Sequence, residues 1–214
     1  MEWDKHYRQK QRIWGDGPSE LAAIAAGYLQ SVEQQPAHWN ILDVGCGYGR
    51  DAFHLARQLD SAVLGIDISS EAIRLAQEGC QRENVTFRCC ELEEVAAGAH
   101  DVILVSNLYH LLRREAREVL VQAIERALGP DGWLFLNTLS PRDPQHYGQG
   151  TPVPDDPGAF ENGLYMKFCT RDELTSAFDF VEIEELYAHA YTEHLASGDV
   201  HHHVSWILIG RLAS

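Results

Sequence analysis

A doubly wound α/β sheet of mainly parallel strands is the fold class this sequence predicts, and three observations predict it. Short apolar runs recur along the chain, each followed by a stretch with helical spacing, and strands alternating with helices build parallel sheets. The first such pair is joined through three glycines at alternate positions, Gly45, Gly47 and Gly49. Finally, 214 residues with 45% hydrophobic and 23% charged content suit one domain with a sizeable core. The expected organisation is a single domain over 1–214, with an N-terminal helical cap over 1–35 and a lid-like insertion over 140–167.

The elements follow in chain order. From Trp3 to Trp14 the chain is aromatic and basic, with Trp3, Tyr7 and Trp14 on one helical face. They read either as packing aromatics or as a cover over a cationic ligand, since an aromatic face attracts a sulfonium much as it does an ammonium. Gly15-Asp16-Gly17-Pro18 breaks the chain, and Ser19-Glu20 opens an amphipathic helix through Leu21, Ile24, Leu29 and Val32. Ile41, Leu42 and Val44 form a strand buried on both faces, and the helix after the glycines carries Ala52, Leu55, Ala56 and Leu59. Ala62–Asp67 is a second strand, with a helix from Ser69-Ser70 to about Gln81, and Val85–Cys89 a third. Asp101–Asn107 is a fourth strand, followed by a helix to Leu128. Gly129–Gly132 reads as a turn and Trp133–Leu136 as a fifth strand.

Regular patterning then stops from Ser140 to Lys167, where five of the eight prolines lie. A loop this long inside a compact domain is usually functional or mobile. Thr170-Arg171-Asp172-Glu173 fits a capping box. Phe180–Tyr187 and Val204–Arg211 are two closing strands, joined through Ser197-Gly198-Asp199.

Composition excludes several functions. The formal net charge is −15, from 17 basic and 32 acidic residues, which suits neither DNA nor RNA, whose binding depends on basic contacts. No segment approaches the roughly 20 apolar residues of a membrane span, and the N-terminus lacks the features of a signal peptide. Five cysteines without disulfide or C-x-x-C spacing read as free thiols, and a reducing cytoplasm is the expected location. A small-molecule partner, with a monomer or homodimer, is the expected mode of action.

The glycine turn carries the chemistry. Glycine allows positive φ and close ligand approach, and the first turn of the following helix presents free N–H groups. The spacing is G-x-G-x-G, and Arg50 stands where the dinucleotide fingerprint G-x-G-x-x-G needs its third glycine. Asp43, two residues before Gly45, suits a ligand with a cationic end better than a pyrophosphate, which it would repel. Asp67, at the end of the second strand, is placed to accept both hydroxyls of a ribose.

With these residues the stretch Asp43-Val44-Gly45-Cys46-Gly47-Tyr48-Gly49 resembles motif I of the class I S-adenosylmethionine-dependent methyltransferases. The resemblance implies a seven-stranded Rossmann-like sheet, six strands parallel and the last antiparallel. It implies S-adenosyl-L-methionine as cofactor and methyl transfer to a small molecule as activity. It assigns the cofactor to Asp43, Gly45, Cys46, Gly47, Asp67 and Ile68, with Glu91 and Leu92 at the adenine. Ser106-Asn107-Leu108-Tyr109-His110 is similar to the family's motif IV and puts Asn107 near the methionine half. Relatives often use an N-terminal cap, which adds Tyr7 and Trp14. The Asn/Asp-Pro-Pro-Tyr tetrad of amino-methylating nucleobase enzymes is absent, and for His110 packing is the favoured reading.

A general base is needed only for a protonated acceptor, and histidine is suited to that. His146 and Tyr147 from the insertion, and His201 and His203 from the last strand, are the catalytic candidates. Side chains alternate along a strand, so His201 and His203 share a face. Without Cys or Asp at ligand spacing nearby, a metal is the disfavoured reading of that triplet. Two rivals stand beside the methyltransferase: an NAD-type oxidoreductase, disfavoured by Arg50, and a non-catalytic adenosylmethionine-binding protein.

Overall fold

The computed structural model describes all residues except 1, 11, 13, 34, 35, 81, 195–197, 199 and 214. The helix α1 (Glu2–Lys10) is followed by α2 (Glu20–Ser31), β1 (Asn40–Val44), α3 (Arg50–Gln58), β2 (Ala62–Asp67), α4 (Ser70–Gly79), β3 (Val85–Cys89) and β4 (His100–Val105). Then come α5 (Arg114–Ala127), β5 (Leu128–Leu139), three short strands β6 (Thr151–Pro152), β7 (Ala159–Glu161) and β8 (Tyr165–Lys167), α6 (Arg171–Ala177), β9 (Val181–His194) and β10 (Val200–Leu212). The main sheet has seven strands in the order β3-β2-β1-β4-β5-β10-β9. β3, β2, β1, β4 and β5 pair in parallel, and β10 runs antiparallel to both β5 and β9. Six strands therefore point one way and one the other, as expected.

Period-two alternation divides the core between the two faces of the sheet. Leu42 and Val44 of β1, Ile103 and Val105 of β4, and Leu134 and Leu136 of β5 face α5 and α6. Ile41, Val102, Leu104 and Phe135 face α2, α3 and α4 instead. Asp43 is thus carried on the same face as Ile41, at the strand end nearest the glycine turn. Ser19 caps α2, its Oγ accepting from Ala22 N–H at 3.1 Å, and Thr170 with Glu173 closes the expected capping box on α6.

The structure departs from the sequence reading in several places. Trp14 lies beyond the end of α1, although it still packs edge-on against Tyr7 at 6.4 Å. The fourth strand stops at Val105 and leaves Ser106 and Asn107 outside it. A turn of 3-10 helix over Tyr109–Leu111 then separates β4 from α5. Gly129–Gly132 does not end an element but is absorbed into β5, where the register against β4 shifts between His100 and Val102. Both closing strands are longer than their apolar cores, because β9 and β10 continue as a two-stranded ribbon paired from Val200↔His194 to Leu212↔Val181. Of the expected Ser197-Gly198-Asp199 connection, Ser197 and Asp199 lie outside the described residues, as does Gln81 at the expected end of α4.

Segment 140–167 is more ordered than its composition implied. β6, β7 and β8 form a small antiparallel meander, tied to α5 through a buried ion pair. Arg117 Nη2 donates to both oxygens of Asp156 at 2.9 and 2.8 Å, and the Tyr165 hydroxyl donates to Asp156 Oδ2 at 2.5 Å. Lys167 Nζ donates to Glu173 of α6 and to the carbonyl of Pro157. Of the segment's five prolines only Pro152 falls in a strand, and that strand, β6, is an edge of the meander, where proline is tolerated.

Candidate active site

Beyond the carboxyl ends of β1, β2 and β4 lies a cleft of about 570 Å³, the position where open α/β sheets bind ligands. Its floor is the glycine turn. The N–H groups of Gly45 and Cys46 both donate to the Ile66 carbonyl at 2.9 Å, pinning the turn to β2. Gly47 has φ +55°, and a Cβ there would lie 2.7 Å from the Tyr7 hydroxyl. The turn therefore requires glycine both for its dihedral and for the space above it.

Asp67 closes one side. Its Oδ2 accepts from Gly47 N–H at 3.0 Å and its Oδ1 from Ser69 N–H at 2.8 Å, which leaves lone pairs on both oxygens for a ligand. Burial pushes its pKa up, and these two N–H groups pull against that shift. Asp43 is deeper still, with 1% exposure, and its Oδ2 has no hydrogen-bond partner. Burial first, then the neighbouring Asp51 and Asp67 carboxylates, raise its pKa well above the usual carboxylate value. A buried orphan carboxyl oxygen on a cleft wall is a place for a cation or a donor to dock. Cys46, Ile68, Glu91, Leu92 and Asn107 also line the cleft, as do Gly45, Tyr7 and Trp14, so the expected cofactor residues surround one cavity.

The aromatic cover is anchored to the Rossmann part at two points. Asp4 of α1 accepts from Ser69 Oγ at 2.7 Å and from Glu71 N–H at 3.2 Å, at the start of α4. Trp14 N–H donates to the Tyr48 hydroxyl, and Arg50 Nη1 donates to the Trp14 carbonyl at 2.9 Å. Trp3, Tyr7, Trp14 and Tyr48 make one aromatic cluster over the glycine turn. Arg50, which broke the dinucleotide pattern, thus serves to hold the cover.

Sequence reading missed some of the supports. Asn107 sits at φ +51°, a left-handed conformation that Asn tolerates. It is held by a reciprocal pair, its N–H donating to Asn137 Oδ1 at 2.7 Å and its Oδ1 accepting from Asn137 Nδ2 at 2.8 Å. Ser106 donates to Ser19 Oγ at 2.9 Å, and Ser19 donates to Asp51 through Oγ and N–H, both at 2.7 Å. No short motif announces these pairs, which join residues 30 to 87 positions apart.

The catalytic candidates lie elsewhere. His146 and His203 gather around Asp143, whose side chain is fully buried near the start of the insertion. Asp143 Oδ1 accepts from the N–H groups of Gln145 and His146 and lies 3.0 Å from His146 Nδ1. Its Oδ2 accepts from Val204 N–H and lies 3.3 Å from His203 Nδ1. Burial opposes ionisation of Asp143, but the two imidazoles and the N–H groups of His146 and Val204 outweigh it and hold the carboxyl well below the usual range. The His146 and His203 rings stack at 4.8 Å, with His201 5.5 Å from His146. His202 points the other way, toward Thr192, so alternation along β10 is as expected. Tyr147 packs edge-on against Phe160 and Phe168 and is 44% exposed. None of these four candidates lines the cleft.

A shared wall connects the two regions. Leu108 and Leu111 line the cleft, while His110 between them is buried on the Asp143 side. Its pKa is pushed down to about 3, by burial first and then by His203 and His146.

Comparison with known proteins agrees with this geometry. Residues 41–132 match the family described as a methyltransferase domain. The 2-heptyl-1-hydroxyquinolin-4(1H)-one methyltransferase of Mycobacteroides abscessus is 33% identical over 129 residues, covering 54% of this chain and 56% of that protein. The match spans 26% of the cyclopropane-fatty-acyl-phospholipid synthase of Escherichia coli and 61% of a ubiquinone biosynthesis O-methyltransferase of Xanthomonas axonopodis, so the chain covers only part of the length of these relatives. Among solved structures, one described under the conversion of a disulfide bond into a thioacetal group during echinomycin biosynthesis superposes with a TM-score of 0.76 at 20% identity, covering 99% of this chain and 91% of that one. The 1,6-didemethyltoxoflavin-N1-methyltransferase of Burkholderia thailandensis, solved with its substrate and S-adenosylhomocysteine, has a TM-score of 0.63 at 19% identity, covering 91% and 79%. Strand order and glycine turn thus give the chain the fold of the S-adenosylmethionine-dependent methyltransferases, and residues 41–132 match the methyltransferase-domain family.

Proposed function

We propose that the chain transfers the methyl group of S-adenosyl-L-methionine to a small-molecule acceptor. The observation that carries this reading is the cleft itself. It combines a glycine cradle that a Cβ would fill, an orphaned buried oxygen on Asp43, and Asp67 with lone pairs to spare. Asp67 would hold the ribose hydroxyls, Ile68 and Leu92 the adenine faces, and Glu91 the adenine amino group. The turn at Gly45, Cys46 and Gly47, with Asp43 and Asn107 behind it, would hold the methionine half. Tyr7 and Trp14 would cover the sulfonium with aromatic faces.

When bound, the cofactor supplies an electrophilic methyl, and much of the acceleration in such a displacement comes from aligning the acceptor in a dry pocket. An acceptor that carries a proton needs a base. His146 and His203, their Nδ1 atoms fixed by Asp143, keep Nε2 for that role. His201 and Tyr147 complete the acceptor side, and segment 140–167 acts as its lid within a single domain. Relatives named for quinolone and ubiquinone-pathway substrates, and the net charge of −15, favour a small organic acceptor over a nucleic acid. Five free cysteines fit a cytoplasmic location. Among the described residues no helix is long and apolar enough to cross a membrane.

Calorimetry with S-adenosylhomocysteine and NAD in parallel tests the cofactor. Tight binding of the first and none of the second is expected, and the opposite pattern would overturn the reading. Turnover of labelled adenosylmethionine against a panel of hydroxylated and amino heteroaromatics tests the activity. Cofactor binding without turnover on any of them would favour a binding protein over an enzyme.

A further inference from the structure

At the carboxyl end of β5 the chain brings together two imidazoles and one carboxylate, from the start of the insertion and from the last strand. Asp143, His146 and His203 each offer one ligand atom, and all these atoms lie within 4.8 Å of one another. Imidazole nitrogen and carboxylate oxygen are the donors of zinc-class divalent ions, with bonds of about 2.0–2.2 Å. Around such an ion, tetrahedral geometry separates ligand atoms by roughly 3.3–3.5 Å. His146 Nδ1 lies 3.0 Å from Asp143 Oδ1 and His203 Nδ1 lies 3.3 Å from Asp143 Oδ2, so two imidazoles flank one carboxylate at close to that spacing.

Two further observations point to a ligand. His110, only 8% exposed, has an Nδ1 without a hydrogen-bond partner, and its neighbours are His203, Asp143 and His146. His54 and His100 share such an unpartnered Nδ1, but His110 is the one of the three that lies beside a carboxylate and two further imidazoles. In addition, Asp143 is a buried carboxylate whose ion-pair partners among the described residues are the imidazoles of His146 and His203. Buried charges are paired or coordinate metals. The N–H groups of Gln145, His146 and Val204 fix the orientation of this carboxylate, as outer hydrogen bonds do for metal ligands.

We propose that Asp143, His146 and His203, with His110 alongside, form a binding site for a zinc-class divalent transition-metal ion. Three protein ligands leave a coordination position open, the arrangement in which a bound oxygen ligand loses its proton near neutral pH. The turn Tyr109–Leu111 separates this position from the cleft. Binding of the ion therefore does not depend on the cofactor reading.

The test uses the full chain, stripped with a chelator and titrated with Co²⁺ while visible absorption is followed. A saturable band at one ion per chain, displaced by Zn²⁺, is expected. Affinity should fall roughly 10-fold or more in His146→Gln and in His203→Gln, with circular dichroism unchanged, and should persist in His202→Ala. Absence of a one-to-one band overturns the site. So does loss in His202→Ala with retention in His146→Gln, which would mean adventitious chelation by the exposed histidine run. S-adenosylhomocysteine affinity measured on the same samples separates the two proposals: normal cofactor binding without the band sinks the metal site alone.

Discussion

The cleft and the histidine cluster stand on either side of the same short turn, yet they are built in opposite ways. In the cleft, carboxylates at strand ends receive one or two backbone N–H groups and keep free valence toward the cavity: Asp67 with Gly47 and Ser69, Asp43 with an orphaned Oδ2. In the cluster, Asp143 is saturated, taking three backbone N–H groups and two imidazoles. The first arrangement raises both carboxyl pKa values, and the second lowers one. An under-satisfied buried carboxyl suits a site that waits for a ligand. A saturated one fixes its neighbours, here the two imidazoles proposed to share an ion with it.

This contrast can be broken by substitution, and the largest effect belongs to the cradle. Gly47→Val should weaken S-adenosylhomocysteine binding by roughly 100-fold or more, because a branched Cβ meets both a positive φ and the Tyr7 hydroxyl. Calorimetry on a variant with a native circular dichroism spectrum checks it, and near-normal affinity would make the turn purely structural.

Next comes the saturated carboxylate. Asp143→Ala should cost about 3 kcal/mol of stability in denaturant unfolding, since it strands several buried donors, while cofactor affinity stays intact. The pH dependence has a definite sign. The folded pKa lies below the unfolded value of 3.8, so this stabilisation is fully present above that value. It is lost as pH falls below 3.8 toward the folded pKa, and the variant should lack this acid-dependent loss.

Asp67→Ala should show the reverse profile, weakening S-adenosylhomocysteine by about 2 kcal/mol or more through lost charge-assisted bonds. An unaltered affinity would remove Asp67 from the ribose. Trp14→Ala should be milder, lowering affinity by about 1 kcal/mol through one lost aromatic face. Titration calorimetry resolves such a fivefold change, and none at all would leave Trp14 as packing. Smallest is His202→Ala, whose side chain is exposed and whose backbone N–H alone bonds Gln145. Stability and cofactor affinity should both stay within about 0.5 kcal/mol of the parent, and a larger loss would extend the cluster to the outer face of β10.

The sequence by itself determined β1, the glycine turn, α3 and the end of β2, together with Asp43 and Asp67. Strand and helix periodicities, positive-φ glycines and a carboxylate at a strand end are local properties, readable within a window of about ten residues. For the same reason Ser19 and the Thr170–Glu173 box were legible as caps. Tertiary structure alone decided that Asp143 would meet His203, 60 positions away. It also decided that Asn137 would hold Asn107 in its left-handed turn, and that the proline-rich segment would form strands latched by Arg117 and Asp156. The reason is register. Whether β10 presents His203 or His202 to Asp143 depends on its pairing with β5 and β9, where a slip of one residue would exchange the two faces. That pairing is fixed by core contacts of Trp206, Ile207 and Leu208 across the sheet, and no short stretch of the chain contains them.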